Sequence, residues 1–224
     1  IKVISSVYVG LTLLAFILLK IAGMGWFDAI NHAFSVVSTG GFSTKNLSIL
    51  HYNSLPIEII MSVFMLLASL HFGLLYNSVV TRSSKIFKSP VIKFYLVTLA
   101  LFALFITLDL YFTGHTNNLF TAFRHSIFQT LSMASTSGFA TADTTLWPNL
   151  SILLLIYLTI QCGCSGSTTG GIKSDRVLIF LKSFKAQLKK HVHPNAVVPV
   201  RVGNHVIDKD IAVASAMYIL IYVA

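Results

Sequence analysis

Of the 224 residues, 55% are hydrophobic and only 10% charged, with a mean hydropathy of +0.79; a soluble domain of this size carries about 25% charge, so an ordinary water-soluble domain is excluded and a bilayer is the expected solvent. Sixteen Lys and Arg against seven Asp and Glu give a formal net charge of +9, which in a soluble protein would suggest a nucleic-acid partner. The distribution argues otherwise: four of the sixteen basic residues fall in 81–93 and eight in 173–209, a positive-inside pattern that places both segments in the cytoplasm.

In chain order, residues 3–22 form an apolar run long enough to cross about 30 Å of hydrocarbon. Lys20 lies near its outer end, where it can snorkel, and Gly23 and Gly25 break it. Residues 26–37 predict a helix of three turns, too short to span, with Trp26 at the interface and Asp28 at its positive N-terminal end. After a polar stretch, residues 55–80 predict a second, uninterrupted span, with Pro56 in its first turn, Glu58 outside its apolar centre and His71 nearer the middle. That histidine reads either as a bundle-facing side chain bonded to a neighbouring carbonyl or as a group with a role toward ions. Arg82, Lys85 and Lys88 mark the cytoplasmic end; Pro90 then opens a third span, 91–112. Residues 117–134 predict a second half-length helix, and 146–161 a fourth, short span.

Two stretches between these helices repeat: Ser38, Thr39, Gly40, Gly41, Phe42 and then Thr44, against Ser135, Thr136, Ser137, Gly138, Phe139 and then Thr141, all 97 residues apart. The same offset matches Ile30 with Ile127, Ser35 with Ser132 and Gly73 with Gly170, so a whole unit is duplicated. A half-helix followed by polar, glycine-bearing backbone between spans is a re-entrant pore loop in outline, because such backbone survives at membrane depth only against protein or water.

The fourth span runs into ten small residues, Cys162, Gly163, Cys164, Ser165, Gly166, Ser167, Thr168, Thr169, Gly170 and Gly171. Each internal glycine costs a helix about 1 kcal/mol relative to alanine, so the helix is expected to open into a loop beneath the repeated stretch. A phosphate-binding loop is the competing reading, but its spacing is not met and no strand precedes it. Cys162 and Cys164 supply two ligands at most toward zinc and too little for a disulfide framework. Residues 173–190 predict a basic amphipathic helix able to lie on the inner surface or against a cytosolic partner. His191 and His193 follow as solvated loop residues, 197–207 alternates like a small hairpin, and 211–224 begins another apolar run. The chain opens without Met and stops inside that run, as a piece of a longer protein would; no signal-peptide pattern is visible.

Taken together, the doubled S-T-x-G-F word, the G-C-S-G-S-T-T-G-G-I-K segment and the basic helix through H-P-N-A-V resemble the membrane subunit of the Trk/Ktr/HKT potassium-uptake systems, over nearly the whole chain. The resemblance implies an all-α membrane protein of repeated helix, pore loop, helix units, of which this chain holds the second and third and the start of a fourth. The implied division is 1–90 and 91–190 as pore units, 191–210 as a cytoplasmic linker and 211–224 as the next helix. It further implies a filter at the two repeated stretches, with potassium at Thr39, Gly40, Gly41, Thr136, Ser137 and Gly138, and an intramembrane gating loop at 162–171. A cytosolic nucleotide-binding regulatory subunit, a homodimer, a multi-pass location in the inner membrane and no organic cofactor are implied as well. Backbone carbonyls suit this task because they replace a potassium ion's water without a fixed charge that would hold it. Both stretches depart from T-V-G-Y-G, which leaves sodium-permeable or ion-coupled uptake as the alternative. A membrane enzyme using His71 or the cysteines lacks a nucleophile and base at sensible spacing, and a non-conducting receptor or scaffold is the remaining class.

Overall fold

A computed structural model describes residues 2–81, 88–193, 198–203 and 205–223. Arg82 and Lys85, expected at the cytoplasmic end, and part of the expected hairpin lie outside the described residues. The chain is helical: α1 (Lys2–Ile21), α2 (Trp26–Val37), α3 (Leu55–Ser69), α4 (Phe72–Val80), α5 (Pro90–Phe112), α6 (Leu119–Ala134), α7 (Asn149–Ile160), α8 (Ser174–Val192) and α9 (Lys209–Val223). Among the described residues there are also four two-residue strands: β1 (Gln161–Cys162) paired in parallel with β2 (Ile172–Lys173), and β3 (Arg201–Val202) paired antiparallel with β4 (His205–Val206).

Helices α1 and α5, of 20 and 23 residues, are each long and apolar enough to cross a membrane. Val9, Leu13 and Ile17 of α1 and Val97, Leu101 and Phe105 of α5 are exposed, as expected for faces turned to lipid. Local signals set the ends of several helices. Gly23 leaves α1 in the left-handed region at φ +103°; Pro90 starts α5, and the Asn118 side chain accepts from the Phe120 N–H (2.9 Å) to open α6.

One expected span is not continuous. Helices α3 and α4 are bent by 105° at Leu70 and His71, where the sequence predicts an unbroken helix. Neither residue is a helix breaker; the bend is held by partners far along the chain. His71 does not bond a carbonyl either: exposed at the break, its Nδ1 accepts from the Gly73 and Leu74 N–H groups (3.0 and 3.3 Å) and caps α4.

The helices form two similar groups, α1 to α4 and α5 to α8, in which a long helix packs on a half-length one: α1 on α2, α5 on α6. The groups meet where α3 packs on α6. Their shared core runs from Ala33 and Val36 through Met61, Phe64 and Met65 to Phe128 and Leu131. Across this seam Arg124 of α6 grips Glu58 of α3 with two hydrogen bonds of 2.6 Å, and the carboxylate is almost fully buried.

Candidate ion pathway

Helices α2 and α6 end where the repeated stretches begin, so the partially negative ends of both dipoles point at them, which favours a cation there. The backbone then repeats bond for bond. The Ser38 N–H donates to Phe34 and the Gly40 N–H to Ser35 (3.1 and 2.8 Å); 97 residues on, Ser135 donates to Leu131 and Ser137 to Ser132 (2.9 and 3.1 Å). Thr39 and Thr136 both have φ 57°, and Gly41 and Gly138 have φ 73° and 72°. A β-branched residue in the left-handed region is an outlier that costs about 1–3 kcal/mol, and here it occurs twice at one angle. In an extended strand successive carbonyls point to opposite sides. A left-handed residue at every second position reverses that alternation, so consecutive carbonyl oxygens can face one side.

The two stretches touch. A Cβ on Gly41 would lie 1.6 Å from the Ser137 carbonyl oxygen, so the first stretch can approach the second only because residue 41 is glycine; around Gly138 the same space is open. Phe139 is fully buried and stacks on His32 of the other group at 6.0 Å, while Phe42 is 82% exposed.

Behind each stretch a side chain of α2 or α6 reaches a threonine: the Thr44 hydroxyl donates to Asp28 (2.5 Å), and Thr141 lies 3.4 Å from His125 Nδ1. One turn further along, His32 donates from Nδ1 to the Asp28 carbonyl (2.8 Å) and accepts at Nε2 from Ser43 (2.9 Å); its counterpart Gln129 donates to the Ala142 carbonyl (3.3 Å). The Thr44 hydroxyl, with Lys45 at 3.2 Å, holds the Asp28 carboxyl below the usual carboxylate range. Burial holds the imidazoles of His32 and His125 below theirs.

Residues 162–171 leave the membrane helix as an open loop whose neck is closed by the β1–β2 pairing. It fills the break between α3 and α4. The Ala68 carbonyl freed by that break accepts from the Thr168 N–H (3.3 Å) and hydroxyl (3.2 Å), the Ser69 carbonyl accepts from the Cys164 N–H (2.8 Å), and the Phe72 N–H donates to Gly166 (3.1 Å). Backbone opened at membrane depth must find such partners, and the two broken helices supply them to each other. The Thr168 hydroxyl also lies 2.9 Å from the Val37 carbonyl at the end of α2. The loop reaches both repeated stretches as well: the Thr39 hydroxyl donates to the Thr168 carbonyl (3.2 Å), and the Gly170 N–H donates to the Thr136 hydroxyl (2.9 Å).

A family model described as "TrkH: Cation transport protein" matches residues 1–224. The chain belongs to the TrkH family. It is similar to the Trk system potassium uptake proteins TrkH of Halomonas elongata, 35% identical over 95% of the chain, and of Escherichia coli K12, 34% identical over 94%. Each alignment takes in 44% of the relative, so the chain spans less than half the length of these proteins. Its fold matches the crystal structure of the potassium transporter TrkH from Vibrio parahaemolyticus with a TM-score of 0.91 and 31% identity, over 97% of this chain and 47% of that one. As a TrkH-family chain with the expected all-α fold, it is an integral protein of the inner membrane.

Within this TrkH-family frame the structure brings Thr39, Gly41, Ser137, Thr136 and the loop residues 168–170 into one neighbourhood, while Phe42 points away from it. Sequence reasoning missed the Glu58–Arg124 pair, the bend at His71 and the left-handed threonines. Only the bend had a signal: the repeat offset, already carried by Gly73 and Gly170, sets residues 70 and 71 opposite 167 and 168 of the loop.

Proposed function

We propose that this chain forms two neighbouring quarters of a potassium-conducting pore, with the carbonyls of 38–42 and 135–139 as parts of its selectivity filter and 162–171 as the gate beneath them. Potassium is then the transported ion, with sites at Thr39, Gly40, Gly41, Thr136, Ser137 and Gly138. The observation that carries the reading is the pair of left-handed threonines at one φ, each two residues before a left-handed glycine. Strain repeated at both copies, where the two stretches meet, fits a set of oxygens arranged for an ion better than it fits a structural turn. Residues 1–90 and 91–190 serve as the two pore units, 191–210 as a linker and 211–224 as the start of a further unit. The basic face of α8 suits a cytosolic nucleotide-binding regulatory subunit, and a homodimer in the lipid bilayer is the assembly in keeping with the family.

Sodium-permeable or ion-coupled uptake is favoured by one feature only, the departure of both stretches from T-V-G-Y-G. Reversal potentials of the full-length protein in bilayers separate the readings. Gly41→Ser and Gly138→Ser should each lower potassium-over-sodium permeability while the protein still inserts; unchanged permeability ratios in both would remove these glycines from the filter. Deleting residues 165–169 should raise basal flux and weaken its dependence on the cytosolic partner, and a deletion that inserts but conducts no faster would make the loop a hinge only.

A further inference from the structure

The loop carries its own cation. Lys173, held in β2 by the pairing of that strand with Cys162, turns its ammonium back into the loop. There it donates to the Thr169 carbonyl, to the Thr169 hydroxyl at 3.1 Å and to the Ser167 hydroxyl at 3.4 Å. Those two hydroxyls are themselves 2.8 Å apart, and Ser167 donates on to the Cys164 carbonyl (2.6 Å), so the oxygens form a connected cradle. Among the described residues no carboxylate forms an ion pair with Lys173; the nearby Asp175 accepts instead from the Ser165 N–H at 3.1 Å.

The position of the cradle gives the charge its meaning. Thr168, on one side of Thr169, accepts from the filter residue Thr39; Gly170, on the other, donates to the filter residue Thr136. The oxygen that Lys173 holds thus belongs to the one residue flanked by a bond to each filter stretch. Carbonyl and hydroxyl oxygens with no carboxylate bonded among them form the same donor set that a permeating monovalent cation uses when it sheds water. An ammonium seated on them denies those oxygens to such a cation. In the low dielectric of a membrane protein its unit charge also repels a second cation over several ångströms.

We propose that Lys173 is the resident cation of the closed loop: its ammonium fills the oxygen cradle of Ser167 and Thr169, ties the loop to its own neck and sets a positive charge under the filter. Opening withdraws this charge and frees the cradle for a potassium ion on its way out. The inference rests on the gate reading of residues 162–171 and adds that closure is electrostatic as well as steric.

The test uses the full-length protein in liposomes without its cytosolic partner, with rubidium-86 uptake as the readout. Lys173→Met should raise partner-independent uptake about tenfold, the worth of one charge-assisted hydrogen bond. Lys173→Cys should leak to a similar degree. Treating the assembled Lys173→Cys protein with an aminoethyl methanethiosulfonate, which restores an ammonium on a side chain of similar reach, should close it again, and the neutral methyl reagent should not; the parent protein treated alike gives the baseline for Cys162 and Cys164. Uptake unchanged in both variants overturns the proposal, as does equal closure by both reagents, which would make the site a steric plug. If deletion of residues 165–169 opens the pore while Lys173→Met stays closed, this inference falls and the gate reading stands; if the deletion leaves flux unchanged, the gate reading falls first.

Discussion

In the first copy of the repeat the threonine beyond the proposed filter stretch, Thr44, is held by a carboxylate, Asp28; in the second copy Thr141 is met by an imidazole, His125. One turn on, the positions are occupied by His32 and Gln129, again with different partners. Yet the backbone they support is the same to within a degree in φ at both left-handed positions. Different side chains behind the two stretches thus support one backbone path. The copies differ more in their second helices: a two-residue bend in one, a ten-residue loop in the other, and each break supplies the hydrogen-bond partners that the other lacks.

The seam between the copies offers the strongest way to break this comparison. Glu58 and Arg124 have no repeat counterparts, since the offset of 97 carries them onto Leu155 and Phe27. Their bidentate pair belongs to the seam alone. Removing one partner of a buried pair costs about 3–5 kcal/mol because the other charge is left without compensation. The Glu58 side chain is 5% exposed and that of Arg124 is 23% exposed, so Arg124→Met should destabilise the detergent-solubilised protein more than Glu58→Ala. Thermal unfolding of both variants checks the order; equal losses would mean that the carboxylate is solvated when alone.

Much of this arrangement was legible before any coordinates. The half-helices fall where expected, at Trp26–Val37 and Leu119–Ala134, because an interfacial tryptophan or an asparagine cap opens each and a polar word closes it. The ten small residues announced an opening in the helix for local reasons. What stayed hidden depends on residues distant in sequence. The bend at Leu70 and His71 has no glycine or proline of its own and is sustained by Thr168, Cys164 and Gly166. The left-handed threonines contradict their intrinsic preference, so a reading based on propensity gives the special backbone to the glycines alone. Glu58 and Arg124 sit 66 residues apart, with nothing in either neighbourhood to pair them.

A sharper comparison contrasts Gly41 and Gly138, the two left-handed glycines of the repeat, under one substitution. Alanine at either position meets a positive φ and is strained by about 1 kcal/mol or more. At Gly41 the added methyl also runs into the Ser137 carbonyl, which is backbone and cannot swing aside; at Gly138 nothing lies within 4 Å. Gly41→Ala should therefore lose more thermal stability than Gly138→Ala in this chain. If a further pore unit of the full-length protein fills the open space at Gly138, the gap between the two variants should narrow there. A gap of the same size in both contexts would argue against a ring of equivalent neighbours.

The smallest expected effect concerns pH and uses the second copy as a template for the first. His32 and His125 have imidazoles held below the usual range by burial, so the folded protein binds fewer protons there than the unfolded chain does. Stability from these groups is then complete above about pH 6.5 and is lost as pH falls from there toward their folded-state values. Asp28, also depressed, keeps its contribution until the pH drops below about 4. Replacing His32 with glutamine, the residue that the second copy uses at the same position, takes one titrating group out of the upper window. A glutamine amide can still donate to the Asp28 carbonyl that His32 now reaches at 2.8 Å. The slope of Tm between pH 7.5 and 5.5 should become shallower in His32→Gln, with His125 accounting for what remains. A slope identical to that of the parent protein would place the acid sensitivity elsewhere, and would mean that the buried imidazole behind the first repeated stretch takes up a proton without cost to the fold.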